Sequence, residues 1–200
     1  MNKEEQENKK AGKKEFLGDI IFVLLVIAVI IFAEKFLILN AKIPSESMQN
    51  TVEVGDRIFG NRLAYRSDDP ERYDIVIFRY PDEPDKLLIK RVIGLPGDVI
   101  DIRNGDVYVN GSETPLTDSF CLAEDVTDTG ALTFPLTVPD GCYFMLGDNR
   151  QNSKDSRYWN NPFVEREDIL AKASVRYWPL NEIGFIDGDH EDFYQPPEAE

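Results

Sequence analysis

The chain is poor in the side chains that most enzymes use for proton transfer and metal binding. Its one histidine, His190, lies in the acidic stretch "DGDHEDFYQPPEAE". A Ser-His-Asp triad needs a histidine held against the serine, and no strand or turn signal surrounds His190. Hydrolysis by a bound metal lacks its histidine cluster. Asp187, Asp189, Glu191 and Asp192 lack the spacing of a calcium loop and read as a solvated tail. The two cysteines, Cys121 and Cys142, form no CxxC pair, so a structural zinc has no ligand set. The glycine patterns that cradle phosphates or dinucleotides are absent. No cofactor and no metal are therefore expected. Basic residues are also in deficit, with 22 Lys and Arg against 37 Asp and Glu, a net charge of −15. That balance argues against a nucleic-acid partner, because a binder must neutralise phosphates.

What is present begins with a long apolar run. Residues 1–15, "MNKEEQENKKAGKKE", are polar and are expected to be a disordered cytoplasmic tail. "IIFVLLVIAVIIFA", Ile20 to Ala33, has no polar residue. Extended through Glu34 and Lys35 into "FLIL", it reaches about 30 Å as a helix, the thickness of a hydrocarbon core. Residues 16–39 thus read as a transmembrane anchor. A cleaved signal peptide is the rival reading, but no small-x-small cleavage site follows cleanly. Lys9, Lys10, Lys13 and Lys14 flank the N-terminal side, which places that end in the cytoplasm by the positive-inside rule. Residues 40–185 are then an extracytoplasmic domain, and residues 186–200 an acidic tail.

The outer part reads as β. "YDIVIFRYP" (Tyr73 to Pro81), "KLLIKRVIGL" (Lys86 to Leu95), "DVIDIRNGDVYVNG" (Asp98 to Gly111) and "CYFMLGD" (Cys142 to Asp148) are short strand-like runs between turn residues. "RNGD" predicts a hairpin turn of the Asn-Gly kind. Asp118 to Gly130 reads as a polar loop, and "REDIL" (Arg166 to Leu170) as one helical turn. The expected fold is a mainly β, antiparallel, barrel-like domain on a single N-terminal transmembrane helix.

With histidine and metals set aside, serine plus lysine remains. A lysine can act as a general base if burial keeps it neutral. Lys90 sits inside an apolar strand run beside Arg91, so strand alternation points one inward and the other outward. Taken alone, this strand equally fits an edge with both charges solvated. "IPSESMQN" places two serines, Ser45 and Ser47, behind a proline and shortly after the apolar run.

"PSESM", "YDIVIFRYP", "LIKRVIGLPGD" and "GDNRQNSKDSR", in this order after an anchor, resemble the sequence boxes of bacterial type I signal peptidases. The similarity runs from the anchor to about Trp178. It implies a membrane-anchored serine/lysine endopeptidase that cleaves signal peptides from exported preproteins, with the lipid bilayer as its setting. By that resemblance Ser47 is the nucleophile and Lys90 its base. Ser45 donates its hydroxyl to the oxyanion hole, alongside the backbone N–H of Ser47. Ser153 is expected to hydrogen-bond near the lysine, while Asp155 and Arg157 support the site. One serine would then attack and the other stabilise the resulting charge.

Leu88 departs from the resemblance, since many members of that family carry an aromatic residue there. The outer domain is short, so its second lobe is expected to be reduced, at about residues 112–140. The outward location permits a disulfide between Cys121 and Cys142. Two other functions compete. A self-cleaving repressor would need a DNA-binding domain, which the anchor and acidic charge disfavour. A catalytically dead tethered β domain should have lost Ser47 or Lys90, and both are present.

Overall fold

The computed structural model describes residues 3–121 and 126–186. His190, nearly all of the acidic tail and part of the Asp118 to Gly130 stretch lie outside the described residues. The chain divides into two compact units, Met1–Ile38 and Leu39–Glu200.

The first unit is dominated by helix α1, Lys3–Phe36. Its backbone is helical from Lys3. Glu, Gln, Lys and Ala in this stretch are good helix formers. A helix already nucleated extends at one hydrogen bond per residue fixed. Phe16–Phe36 forms an apolar stretch of 21 residues, about 31 Å long and matched to a hydrocarbon core of roughly 30 Å. The helix stops at Phe36, short of the expected Leu39. Leu39 is instead 5% exposed and belongs to the core of the second unit.

The second unit is built from strands β1 (Ile38–Lys42), β2 (Arg57–Asn61), β3 (Ile75–Tyr80), β4 (Glu83–Gly94), β5 (Val99–Arg103), β6 (Asp106–Val109), β7 (Leu136–Thr137), β8 (Cys142–Leu146), β9 (Phe163–Glu165), β10 (Ile169–Trp178) and β11 (Gly184–Phe185). The larger sheet runs β1-β2-β10-β3-β4-β8-β9, with β11 also pairing β10; the smaller runs β6-β5-β7. The pairings from β2 through β9 are antiparallel. The expected antiparallel β domain is therefore what the chain forms. Asn104 and Gly105 both adopt positive φ between β5 and β6, as a type I′ hairpin requires.

Strand β3 shows why the larger sheet is stable. Ile75, Val76, Ile77 and Phe78 are all buried. Ile75 and Ile77 enter one core with Ile43, Met48, Val52 and Ile89. Val76 and Phe78 enter another with Val92, Met145 and Trp159. Period-two alternation thus covers both faces of the sheet. A third core joins the smaller sheet, through Ile100, Ile102, Val107 and Val109, to Ile93, Phe144 and Leu146. The small lobe therefore begins at Val99 rather than near residue 112.

Strand β10 was absent from the strand-like runs, although it pairs with β2, β3 and β11. Its inward residues are Ile169, Ala171 and Ala173, and alanine is a weak strand signal. The expected helical turn at Arg166 to Leu170 exists only as Arg166–Asp168; Ile169 already starts β10. Cys121 and Cys142 are not joined in a disulfide.

Candidate active site

Four segments meet at the end of β4. The first is a helical turn, Glu46–Met48, with Ser45 as its extended N-cap. Met48 is fully buried in the core, which anchors the turn and fixes where Ser47 points. The second is β4 itself, which supplies Lys90 and Arg91. The third follows β8 and carries Gly147, Asp148 and Asn149. The fourth carries Ser153, Asp155 and Arg157.

Lys90 Nζ lies 2.5 Å from Ser47 Oγ and donates to the Ile89 carbonyl at 3.0 Å. Ser45 Oγ is 3.3 Å from Ser47 Oγ. Lys90 is only 3% exposed, and Ser47 7%. Burial disfavours the ammonium and lowers the lysine pKa to about 8. Asp155 and Asp148 pull the value back up, Arg157 pushes it down, and desolvation prevails. A neutral amine is therefore accessible near physiological pH.

Neighbouring Lys90 and Arg91 leave the strand in opposite directions, and both directions are closed. Arg91, expected to be solvated if Lys90 were inward, is itself 3% exposed. Its guanidinium grips Asp148 with two bonds, at 2.8 and 2.7 Å, and donates to the Tyr73 carbonyl at 2.9 Å. Thr51 bonds the same carboxylate. Asp155 and Arg157 are not a surface ion pair, since both side chains are fully buried. Arg157 binds Asp155 at 2.8 and 2.9 Å and reaches the Arg150 carbonyl at 2.8 Å. Such buried, two-pronged pairs hold geometry well, and removing one partner typically costs about 3–5 kcal/mol.

Ser153 departs from expectation. It is buried at the site, but its Oγ has no hydrogen-bond partner among the described residues. The lysine amine is occupied by Ser47 and the Ile89 carbonyl instead. Ser153 Oγ packs against Gly147, where any added Cβ would collide with it and with the Ser47 carbonyl. The N–H of Gly147 donates to Asp155 at 3.0 Å. Gly147 is thus a site residue that the sequence reading passed over; its place inside "GDNR" was the available signal. Asn149 is a second, its N–H donating to the Ser47 carbonyl at 3.2 Å.

A cleft of about 240 Å³ opens beside Ser47, lined by β1, the Ile43–Ser45 segment, Ile77 and Leu87 to Lys90. Leu88 is among the lining residues. Two strand edges border it. Strand β1 stands at the end of the sheet, and β4 pairs with β8 only from Arg91 onward. Both present unpaired backbone to an incoming extended chain. No group of His, Cys, Asp and Glu suited to a metal occurs among the described residues.

A hydroxyl thus stands against a buried amine beside an apolar cleft bordered by free strand edges. The family described as signal peptidase, peptidase S26, matches residues 16–178 of this sequence. The chain belongs to that family, and it is a hydrolase of the signal peptidase I kind. It is 42% identical over 154 residues to a probable signal peptidase I-2 of Synechocystis sp., covering 74% of this chain and 67% of that one. It is 32% identical over 186 residues to signal peptidase IB of Staphylococcus aureus, covering 86% and 95%. A solved signal peptidase I from Enterococcus faecalis V583 shares 34% identity, covering 52% of this chain and 97% of that one, at a TM-score of 0.43.

The buried amine makes stability depend on pH in a calculable direction. Its folded pKa, about 8, lies below the unfolded value near ~10.4, so the unfolded chain binds more protons between them. Stability from this group is full above the unfolded value and falls as pH drops toward 8. The shift corresponds to about 3 kcal/mol. Urea unfolding of wild type and Lys90→Met at pH 7 and pH 10 should show the wild type losing ground at the lower pH. A pH-independent difference between them would place a charged, solvated amine at this position.

Proposed function

We propose that Ser47 and Lys90 are the nucleophile and general base with which this chain cleaves signal peptides from exported preproteins. The observation that carries the assignment is the 2.5 Å contact between Lys90 Nζ and Ser47 Oγ at a buried position. In the neutral state the Ser47 hydroxyl donates to the amine. As Ser47 Oγ attacks the scissile carbonyl, Lys90 takes its proton. The tetrahedral oxyanion is met by the Ser45 hydroxyl and the Ser47 backbone N–H. Lys90 then gives its proton to the leaving amine, and the signal peptide remains as an ester on Ser47. Water enters next, activated by the same amine, and hydrolyses the ester.

The substrate lies extended between the free edges of β1 and β4, adding a strand by backbone pairing. Its acyl side runs toward Ser47 in the direction of both strands. Alternate side chains then face the apolar wall made by Ala41, Ile43, Ile77, Leu87 and Ile89. Small residues at the final and antepenultimate positions of the signal peptide fit that wall. Asp155 and Arg157 hold the loop behind the lysine, and Ser153 fills the space against Gly147. Residues 1–15 lie in the cytoplasm, the apolar part of α1 spans the bilayer, and the β domain acts on the outer side, with the small lobe attached. Protease added to intact spheroplasts should degrade the β domain; protection of that domain with loss of the N-terminal segment would reverse the orientation.

Lys90 sets the pH profile. kcat/KM for a preprotein with an Ala-x-Ala site should rise tenfold per pH unit below about 8 and level off above it. Ser47→Ala and Lys90→Arg should both be inactive, since a guanidinium stays charged at any usable pH. Appreciable cleavage by Lys90→Arg would remove Lys90 from the role of base.

Ser45→Ala should retain activity at a reduced level. Loss of one oxyanion donor typically costs about 10²–10³ in kcat, with KM changing far less. Single-turnover cleavage measures this; an unchanged kcat would take Ser45 out of the oxyanion hole.

A further inference from the structure

The two faces of a substrate strand meet different chemistry in this cleft. Strand β1 alternates, with Leu39 and Ile43 buried, Ala41 half-buried, and Asn40 and Lys42 exposed. Asn40, Ala41, Lys42 and Ile43 all line the cleft. A chain paired to β1 shares its alternation, so side chains of the two strands stand on common faces. The final and antepenultimate residues face the wall with Ala41 and Ile43. The penultimate residue therefore emerges on the face of Asn40 and Lys42. The Asn40 side chain is tied back, its Oδ1 accepting from the Tyr177 hydroxyl at 2.8 Å. Lys42 has no ion pair or hydrogen bond from its ammonium among the described residues. The nearest carboxylate along the chain, Glu46, is bonded by the Asn152 amide at 2.9 Å. In a chain of net charge −15, this face of the cleft holds an uncommitted cation.

Building on the peptidase reading above, we propose that Lys42 selects the penultimate residue of the signal peptide by charge, favouring a carboxylate and disfavouring Lys or Arg. The aliphatic stem of Lys42 lies along the cleft while its ammonium stays in water. The half-buried Leu88, on the opposite side of the cleft, gives the stem of a Glu side chain an apolar surface. An exposed pair of this kind contributes about 0.2–1 kcal/mol, so the preference is modest and read best as a ratio.

The test uses detergent-solubilised full-length chain and three peptides with alanine at the final and antepenultimate positions. They differ only in a penultimate Glu, Gln or Lys. Wild type should give kcat/KM in the order Glu, Gln, Lys, with Glu ahead of Gln by about 1.5- to 5-fold. The ratio should collapse in 1 M salt, where the screening length is about 3 Å. Lys42→Gln should flatten the series and Lys42→Glu should invert it. Ratios within one variant are insensitive to the fraction of enzyme that is folded. An unchanged order in Lys42→Glu, or no charge preference in wild type at low salt, overturns the assignment while leaving the peptidase reading intact. If wild type cuts the Gln peptide no faster than Ser47→Ala does, the peptidase reading fails and this inference with it.

Discussion

The loss of water around one amine governs the arrangement of this domain. Lys90 can accept a proton only because the fold buries it, and burial of a charge is costly unless the charge is given up. Two carboxylates, Asp148 and Asp155, stand near enough to favour the ammonium. Left unpaired, they would work against the desolvation that keeps the amine neutral. Each carboxylate is instead held in a two-pronged bond by an arginine, Arg91 for Asp148 and Arg157 for Asp155. Neutralised in this way, they position the loop without restoring the lysine's charge.

The rest of the fold follows from the need to keep such charges out of water and paired. Phe120 lies over the Arg91 guanidinium at 3.9 Å, and its carbonyl accepts from the Asn50 side chain at 2.8 Å. Arg150, 1% exposed, joins Asp118 and Thr127 at 2.7 Å each. The stretch between β6 and β7 is thus fastened to the serine turn, the lysine strand and the arginine loop together. The small sheet packs behind it through the core around Ile100, Val107 and Phe144. Strand edges are left open at the cleft, at β1 and along β4 before Arg91.

Much of this was legible in the chain. Strands β3, β4, β5, β6 and β8 follow from apolar runs bounded by turn residues, and the β5–β6 turn from Asn-Gly alone. Strand β10 was not legible, because its buried side chains are small and its status comes from its neighbours. Leu39 looked like membrane and proved to be core, since an isolated apolar residue does not say which apolar phase receives it. Strand alternation correctly sent Lys90 and Arg91 to opposite sides. It could not say that both sides are closed.

The sequence by itself determined the residue types, their order and the local periods. These suffice for the β class and the apolar helix, and they make serine and lysine the candidates for the chemistry. They are local properties, written within a few residues of one another. Only the tertiary structure decided that Ser47 and Lys90, 43 positions apart, touch inside a desolvated space. It alone decided that Asp155 and Arg157 are buried, that the Ser153 hydroxyl sits against Gly147, and that Lys42 borders the cleft with no partner for its ammonium among the described residues. Desolvation and charge pairing depend on what lies around a group in space, and those surroundings exist only once distant segments have packed together.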